Sequence, residues 1–212
     1  MTINLKNIIS ERDADMNKYM PYAIKEAALA MKFIKDNAEK FHIDPNYVFV
    51  TGYSAGGHLA ASLGILYGSE YVTSAIEMPK NYARPAGMIL AYPVISSGEY
   101  AHRGSIDNIH HDEREDEAAR LKVSLETRVD ENTVPTFLWH TREDTTVPVE
   151  NSILLAAALA KNKIPFEMHI YPYGGHGISL ANRVVSAINP TAAQWFGEAV
   201  RWMETIKAPT EE

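Results

Sequence analysis

Apolar positions along the chain alternate between two rhythms. Four short runs are nearly continuous and rich in branched or aromatic side chains: Tyr47-Val48-Phe49-Val50-Thr51, Ala86-Gly87-Met88-Ile89-Leu90-Ala91-Tyr92, Val134-Pro135-Thr136-Phe137-Leu138-Trp139-His140 and Pro165-Phe166-Glu167-Met168-His169-Ile170-Tyr171. Runs of this length, bounded by turn-forming residues, predict buried strands. Between them the period lengthens. Tyr22, Ala23, Ala27, Ala30, Met31 and Ile34 recur at helical spacing within residues 21–39, and residues 151–161 and 190–206 are amphipathic helices by the same test. Leu59-Ala60-Ala61-Ser62-Leu63 begins a further helix after the first strand, and residues 69–85 read as a polar loop. Strands separated by helices predict an α/β fold, a mostly parallel sheet with helices on both faces.

The rhythm is broken once, between Ile95 and Val134, where residues 107–122 are rich in charge. An insertion of this length in a compact domain is usually a lid or a disordered segment. Helix-forming residues at 115–125 favour a small helical cap over the candidate site, at about residues 96–130 of a single domain spanning 1–212. His110-His111-Asp112-Glu113 lies in this insertion, but consecutive residues without helical or hairpin spacing do not converge on one ion, so no metal and no cofactor is expected.

Composition narrows the function. Lys and Arg number 20 against 27 Asp and Glu, a net charge of -7 with no basic cluster, which argues against a nucleic-acid partner. The apolar stretch at residues 27–34 is broken by Lys32, so no signal sequence or membrane span is expected, and the protein reads as cytoplasmic. The absence of cysteine excludes disulfides and thiolate chemistry.

Chemistry is concentrated at Gly52-Tyr53-Ser54-Ala55-Gly56-Gly57-His58, a Gly-x-Ser-x-Gly turn between a predicted strand and a predicted helix. Such an elbow pushes its serine out above the sheet, and Gly52 and Gly56 are expected to be the small residues that the tight turn needs. Ser54 would then stand at the positive end of a helix, with the Ala55 N–H available to a developing oxyanion. An ordinary helix cap would not call for glycine on both sides. A serine hydroxyl needs a histidine to accept its proton and a carboxylate to orient that histidine. Asp144 lies in the loop after the third strand, with Glu143 adjacent and Asp130 before the same strand as alternative carboxylates, and His176 lies in Tyr173-Gly174-Gly175-His176-Gly177 after the fourth, giving the order Ser, Asp, His. All three follow the carboxyl ends of predicted strands, where open α/β sheets place their ligand chemistry. His58, in the first turn of the elbow helix, is expected to pack rather than to react.

Together these motifs resemble the α/β-hydrolase esterases of the acetyl-esterase and xylan-esterase group, related to the hormone-sensitive-lipase type. The resemblance rests on the elbow, on Tyr92-Pro93-Val94-Ile95-Ser96-Ser97, on Ser124-Leu125-Glu126 leading into Thr136-Phe137-Leu138-Trp139-His140-Thr141, and on Asp144 with Val147-Pro148-Val149-Glu150-Asn151-Ser152 and His176-Gly177. It covers residues 21–203 and implies a serine carboxylesterase acting on small acyl esters, acetyl above all, including those of sugars. Ser54, Asp144 and His176 would be catalytic, with Ala55 at the oxyanion and Tyr53, Tyr92 and Val147 against the substrate.

The departure from the group lies at the start. Its members carry several strands and a His-Gly-Gly-Gly-type loop before the helix that begins here near Pro21, and that loop supplies the second oxyanion N–H. Residues 1–20 hold no such loop, and Ile3-Asn4-Leu5-Lys6-Asn7-Ile8-Ile9 is at most one strand. The expectation is an N-terminally truncated sheet whose elbow strand lies at an open edge and drives homo-oligomerisation. Two readings of different class follow: an ester hydrolase, and a weakly active or inactive hydrolase serving as a subunit or binding module. A peptidase of the prolyl-oligopeptidase type shares the order of the three residues but needs a propeller domain for which the chain has no room.

Overall fold

The computed structural model describes residues 19–73, 78–109, 117–185 and 187–206. Helix α1 (Tyr19–Asp36) and the short α2 (Ala38–Phe41) lead into strand β1 (Phe49–Tyr53), which is followed at once by α3 (Ala55–Leu66). A short α4 (Glu70–Thr73) precedes β2 (Gly87–Ala91). The insertion then contributes α5 (Arg103–Ile109), α6 (Glu117–Leu121) and a 3-10 turn at Leu125–Thr127. Strand β3 (Thr136–Thr141), α7 (Glu150–Lys161), β4 (Phe166–Tyr171) and α8 (Trp195–Thr205) complete the chain.

Among the described residues the four strands form one parallel sheet in the order β1-β2-β3-β4. Central strands β2 and β3 are buried at every position, which is why they read as unbroken apolar runs. Their side chains alternate between two cores. Met88, Leu90 and Leu138 meet Ile24, Ala28 and Met31 of α1, Leu63 of α3 and Leu155 and Leu159 of α7 on one face, while Ile89, Phe137 and Trp139 meet Trp195, Ala199 and Trp202 of α8 on the other. Helix α3 lies close against the sheet because its inward positions are small. A methyl on Gly64 would stand 2.6 Å from the Met88 sulfur.

The expected fold class therefore holds: this is the α/β-hydrolase architecture, with three differences in detail. The first strand begins at Phe49 rather than Tyr47, because pairing with β2 starts at Phe49 opposite Gly87, while the Asp44–Tyr47 turn and a hydrogen bond from the Tyr47 hydroxyl to the Met203 carbonyl occupy the preceding residues. The loop at 69–85 contains α4, whose Val72 is fully buried. The last helix starts at Trp195, preceded by a 3-10 turn in which the Asn189 side chain accepts the Ala192 N–H. The run Ile3–Ile9 and the His110–Glu113 cluster lie outside the described residues.

In register, Tyr53, Ala91 and Trp139 stand side by side, and Thr141 stands beside Tyr171. The loops that carry Ser54, Asp144 and His176 thus leave the sheet at one edge.

Candidate active site

Ser54 has φ 55 and ψ -122, a backbone conformation that ordinary residues avoid. It is held there from both sides: its N–H donates to the Ala91 carbonyl, and its own carbonyl accepts from Gly57 and from Val94. The glycines that make this possible are not the pair expected. A methyl on Gly52 would lie 2.1 Å from the Gly56 carbonyl oxygen, and one on Gly57 would lie 2.8 Å from Pro93, whereas a methyl on Gly56 meets nothing within 4 Å. Close packing of strand, helix and the loop after β2 thus requires Gly52 and Gly57, and Gly56 faces open space.

The Ser54 hydroxyl donates to His176 Nε2 at 2.7 Å, and His176 Nδ1 donates to Asp144 Oδ2 at 2.6 Å. Gly174 (φ 128) and Gly177 (φ 78) supply the left-handed turns that bring His176 back over the sheet. The other carboxylate oxygen of Asp144 accepts the N–H groups of Thr146 and Val147, both at 2.9 Å. Burial by itself would raise the Asp144 pKa. Hydrogen bonds from His140, His176 and the Val147 N–H overcome that and hold the carboxyl well below the usual range, so it stays an anion opposite His176.

The other expected residues are distributed around this chain of hydrogen bonds. Ala55 is exposed at the start of α3, and among the described residues its N–H has no protein acceptor. Tyr53 is half-buried, its ring 6.1 Å from those of Tyr92 and Trp195. Tyr92 and Val147, the other two residues expected against the substrate, are both buried. The Tyr92 ring packs edge-on against His176 at 5.0 Å and against Trp139 at 5.0 Å, and its hydroxyl accepts the Ser179 N–H, so it backs the histidine loop. Val147 is enclosed by Val94, Ile106 and Val123, and it serves Asp144 through its backbone.

His58 packs as expected: it is buried, and its Nε2 donates to the Val123 carbonyl at 2.9 Å, tying the insertion to the elbow helix. His169 is paired with Glu167 at 2.7 Å on β4. The residue that motif reading missed is His140, fully buried at the end of β3 with Nε2 3.3 Å from Asp144 Oδ2. Its signal was a histidine inside an otherwise apolar strand, four residues before the carboxylate. Among the described residues no group of His, Cys, Asp or Glu is arranged to hold a metal, and no helix is long and apolar enough to cross a membrane.

A serine on a strand-to-helix elbow, hydrogen-bonded through a histidine to a buried carboxylate at the carboxyl edge of a parallel sheet, is the site architecture of an α/β-hydrolase. The chain belongs to the BD-FAE family, whose model matches residues 9–159. It is 40% identical over 185 residues to endo-1,4-beta-xylanase B of Butyrivibrio fibrisolvens, covering 87% of this chain and 28% of that protein. It is 27% identical over 192 residues to the acetylxylan esterase of Xylanibacter ruminicola, covering 85% of this chain and 35% of that one. Among solved structures it resembles the acetyl ester-xyloside bifunctional hydrolase of Caldicellulosiruptor lactoaceticus, with a TM-score of 0.75, 37% identity, and coverage of 86% of this chain and 65% of that one. The chain therefore spans about a third of the length of these two curated relatives.

Proposed function

We infer that the protein is a serine carboxylesterase that hydrolyses small acyl esters, acetyl esters of sugars in particular. The observation that carries this reading is the unbroken hydrogen-bond chain from Ser54 through His176 to Asp144. His176 Nε2 takes the hydroxyl proton as Ser54 Oγ adds to the acyl carbon, and the Asp144 anion stabilises the imidazolium that forms. The carbonyl oxygen, now an oxyanion, lies toward the Ala55 N–H and the positive start of α3. Collapse expels the alcohol, which leaves with the proton from His176. Water then enters by the same proton path and releases the acid, restoring the Ser54 hydroxyl.

Tyr53, half-exposed beside the serine, is the side chain offered to the substrate. The insertion acts as a small cap; Val123 and Ile106 anchor it to the loops of Val94 and Val147. Acetyl and xylose-based specificity is supported by relatives whose names are xylanase, acetylxylan esterase and acetyl ester-xyloside hydrolase. Among the described residues β1 pairs on one side only, which supports self-association through that edge.

Turnover of a short activated acetyl ester tests the reading. The wild-type chain should hydrolyse it and Ser54→Ala should lose roughly a million-fold in turnover with its fold intact. Wild-type turnover in Ser54→Ala would remove the serine from this role.

A further inference from the structure

The proton path from Ser54 to Asp144 leaves one reactive, buried side chain beside it without a part. His140 has no exposed surface, and it stands one residue before the end of β3, after which the loop that carries Asp144 begins. Its Nδ1 lies 2.9 Å from Ser152 Oγ, and its Nε2 lies 3.0 Å from the Val147 carbonyl oxygen and 3.3 Å from Asp144 Oδ2. A carbonyl oxygen and a carboxylate can only accept, so Nε2 carries the hydrogen and Nδ1 accepts the Ser152 hydroxyl.

We propose that His140 is a positioning residue of the site: its Nε2–H, aimed by Ser152 and shared between the Val147 carbonyl and Asp144 Oδ2, fixes the rotation of the carboxylate that orients His176. This rests on the esterase reading of Ser54. Asp144 Oδ1 accepts from Thr146 and Val147 and Oδ2 from His176, with His140 Nε2 standing a further 3.3 Å from Oδ2. Turning the carboxylate about its own axis would strip donors from both oxygens in a place that water does not reach. The loop at 141–148 is exposed at Arg142, Glu143, Thr145 and Thr146, and its own contacts with the carboxylate, the Thr146 and Val147 N–H groups, reach only Oδ1. His140 supplies support at Oδ2 by linking the carboxylate to β3 and, through Ser152, to the first turn of α7. A histidine that merely filled space would not need its only N–H within reach of the carboxylate.

Two substitutions separate positioning from packing. His140→Leu keeps much of the volume and removes the donor, whereas in His140→Gln the side-chain amide places an N–H near the former Nε2. Kinetics on a short activated acetyl ester, with active sites counted by a serine-directed phosphonate, should show kcat per site falling about ten- to hundredfold in the Leu variant with KM unchanged. The Gln variant should recover most of that loss. A Leu variant with wild-type kcat, or a Gln variant as impaired as Leu, overturns the proposal. Imidazole 15N spectra of the wild-type full chain provide a readout that needs neither a variant nor turnover. His140 should carry its hydrogen on Nε2, and an Nε2 without hydrogen, as in the Nδ1–H tautomer, overturns the proposal even if Leu does not fold. A wild-type chain that neither turns over ester nor takes the phosphonate would defeat the esterase reading, while the tautomer would still decide the hydrogen-bond arrangement.

Discussion

The elbow's glycines make the same substitution a sharp test of the geometry. In Gly52→Ala the new methyl would sit 2.1 Å from the Gly56 carbonyl oxygen, 2.6 Å from the carbonyl carbon and 2.8 Å from Ala60 Cβ. Comfortable carbon contacts begin near ~3.5 Å, so β1 and α3 must separate by roughly 1 Å. What stands in the way is backbone, which cannot swing aside, and the cost should fall at the upper end for overpacking, about 3 kcal/mol. For a chain of this size each kcal/mol moves Tm by about 2–4 °C, so Gly52→Ala should melt roughly 6–12 °C lower. Ser54 and Ala55 ride on the displaced segment, and a misplacement on the order of 1 Å costs about a hundredfold in turnover. Gly56→Ala is the control: its methyl meets nothing within 4 Å, and its φ is outside the left-handed region. It should hold or raise stability, by about 0.4–1 kcal/mol, through reduced freedom of the unfolded chain. Thermal melts followed by circular dichroism, with ester turnover on the same samples, decide the matter. Equal loss of stability in the two variants would refute the reasoning, since it would mean that the face of Gly56 is closed in solution.

If His176 is the base, as proposed, turnover should fall on acidification, and His176→Ala should abolish that limb together with nearly all activity; a limb that survives in a pH-rate profile would assign the base elsewhere. Asp144 titrates lower in the folded chain than in the unfolded one, where an aspartate is near pH ~4. Its contribution to stability is therefore complete above that value and drains away as pH falls toward the folded pKa. Asp144→Asn should flatten the acid side of a stability-against-pH curve, and an unchanged slope would show that the carboxylate is not held as described. If Ala55 is the single donor to the proposed oxyanion, turnover should be about a hundred- to a thousandfold below that of a hydrolase with two. Light scattering on the same preparation should find a dimer or larger assembly, and a monodisperse monomer with full turnover would contradict both expectations.

Much of this was legible in the sequence because burial and pattern coincide. Strands β2 and β3 are covered on both faces, so their residues are apolar without alternation, and the loops that follow β3 and β4 carry the Asp and His in the order that the elbow demands. Side-chain direction was not legible. Position after a strand places Tyr92 and Val147 near the site, yet whether they face the cleft or the interior depends on loops that fold back over them, and both turned inward. Gly56 and Gly57 are the same letter, and only the approach of Pro93, from another loop, decides which of them has to be glycine. His140 was hidden for a related reason. Its partners, Asp144, Val147 and Ser152, are local in sequence, but they converge on one imidazole only because the loop curls over the end of β3 and α7 closes beneath it.

The esterase proposal stands or falls on Ser54 being a nucleophile activated by His176. Treating the full chain with a serine-directed phosphonate and reading the adduct by intact and peptide mass tests it most directly. One adduct per chain should form, on the peptide that carries Ser54, absent in Ser54→Ala and formed far more slowly in His176→Ala. An adduct on another serine, or labelling of Ser54 at the wild-type rate without His176, would contradict it.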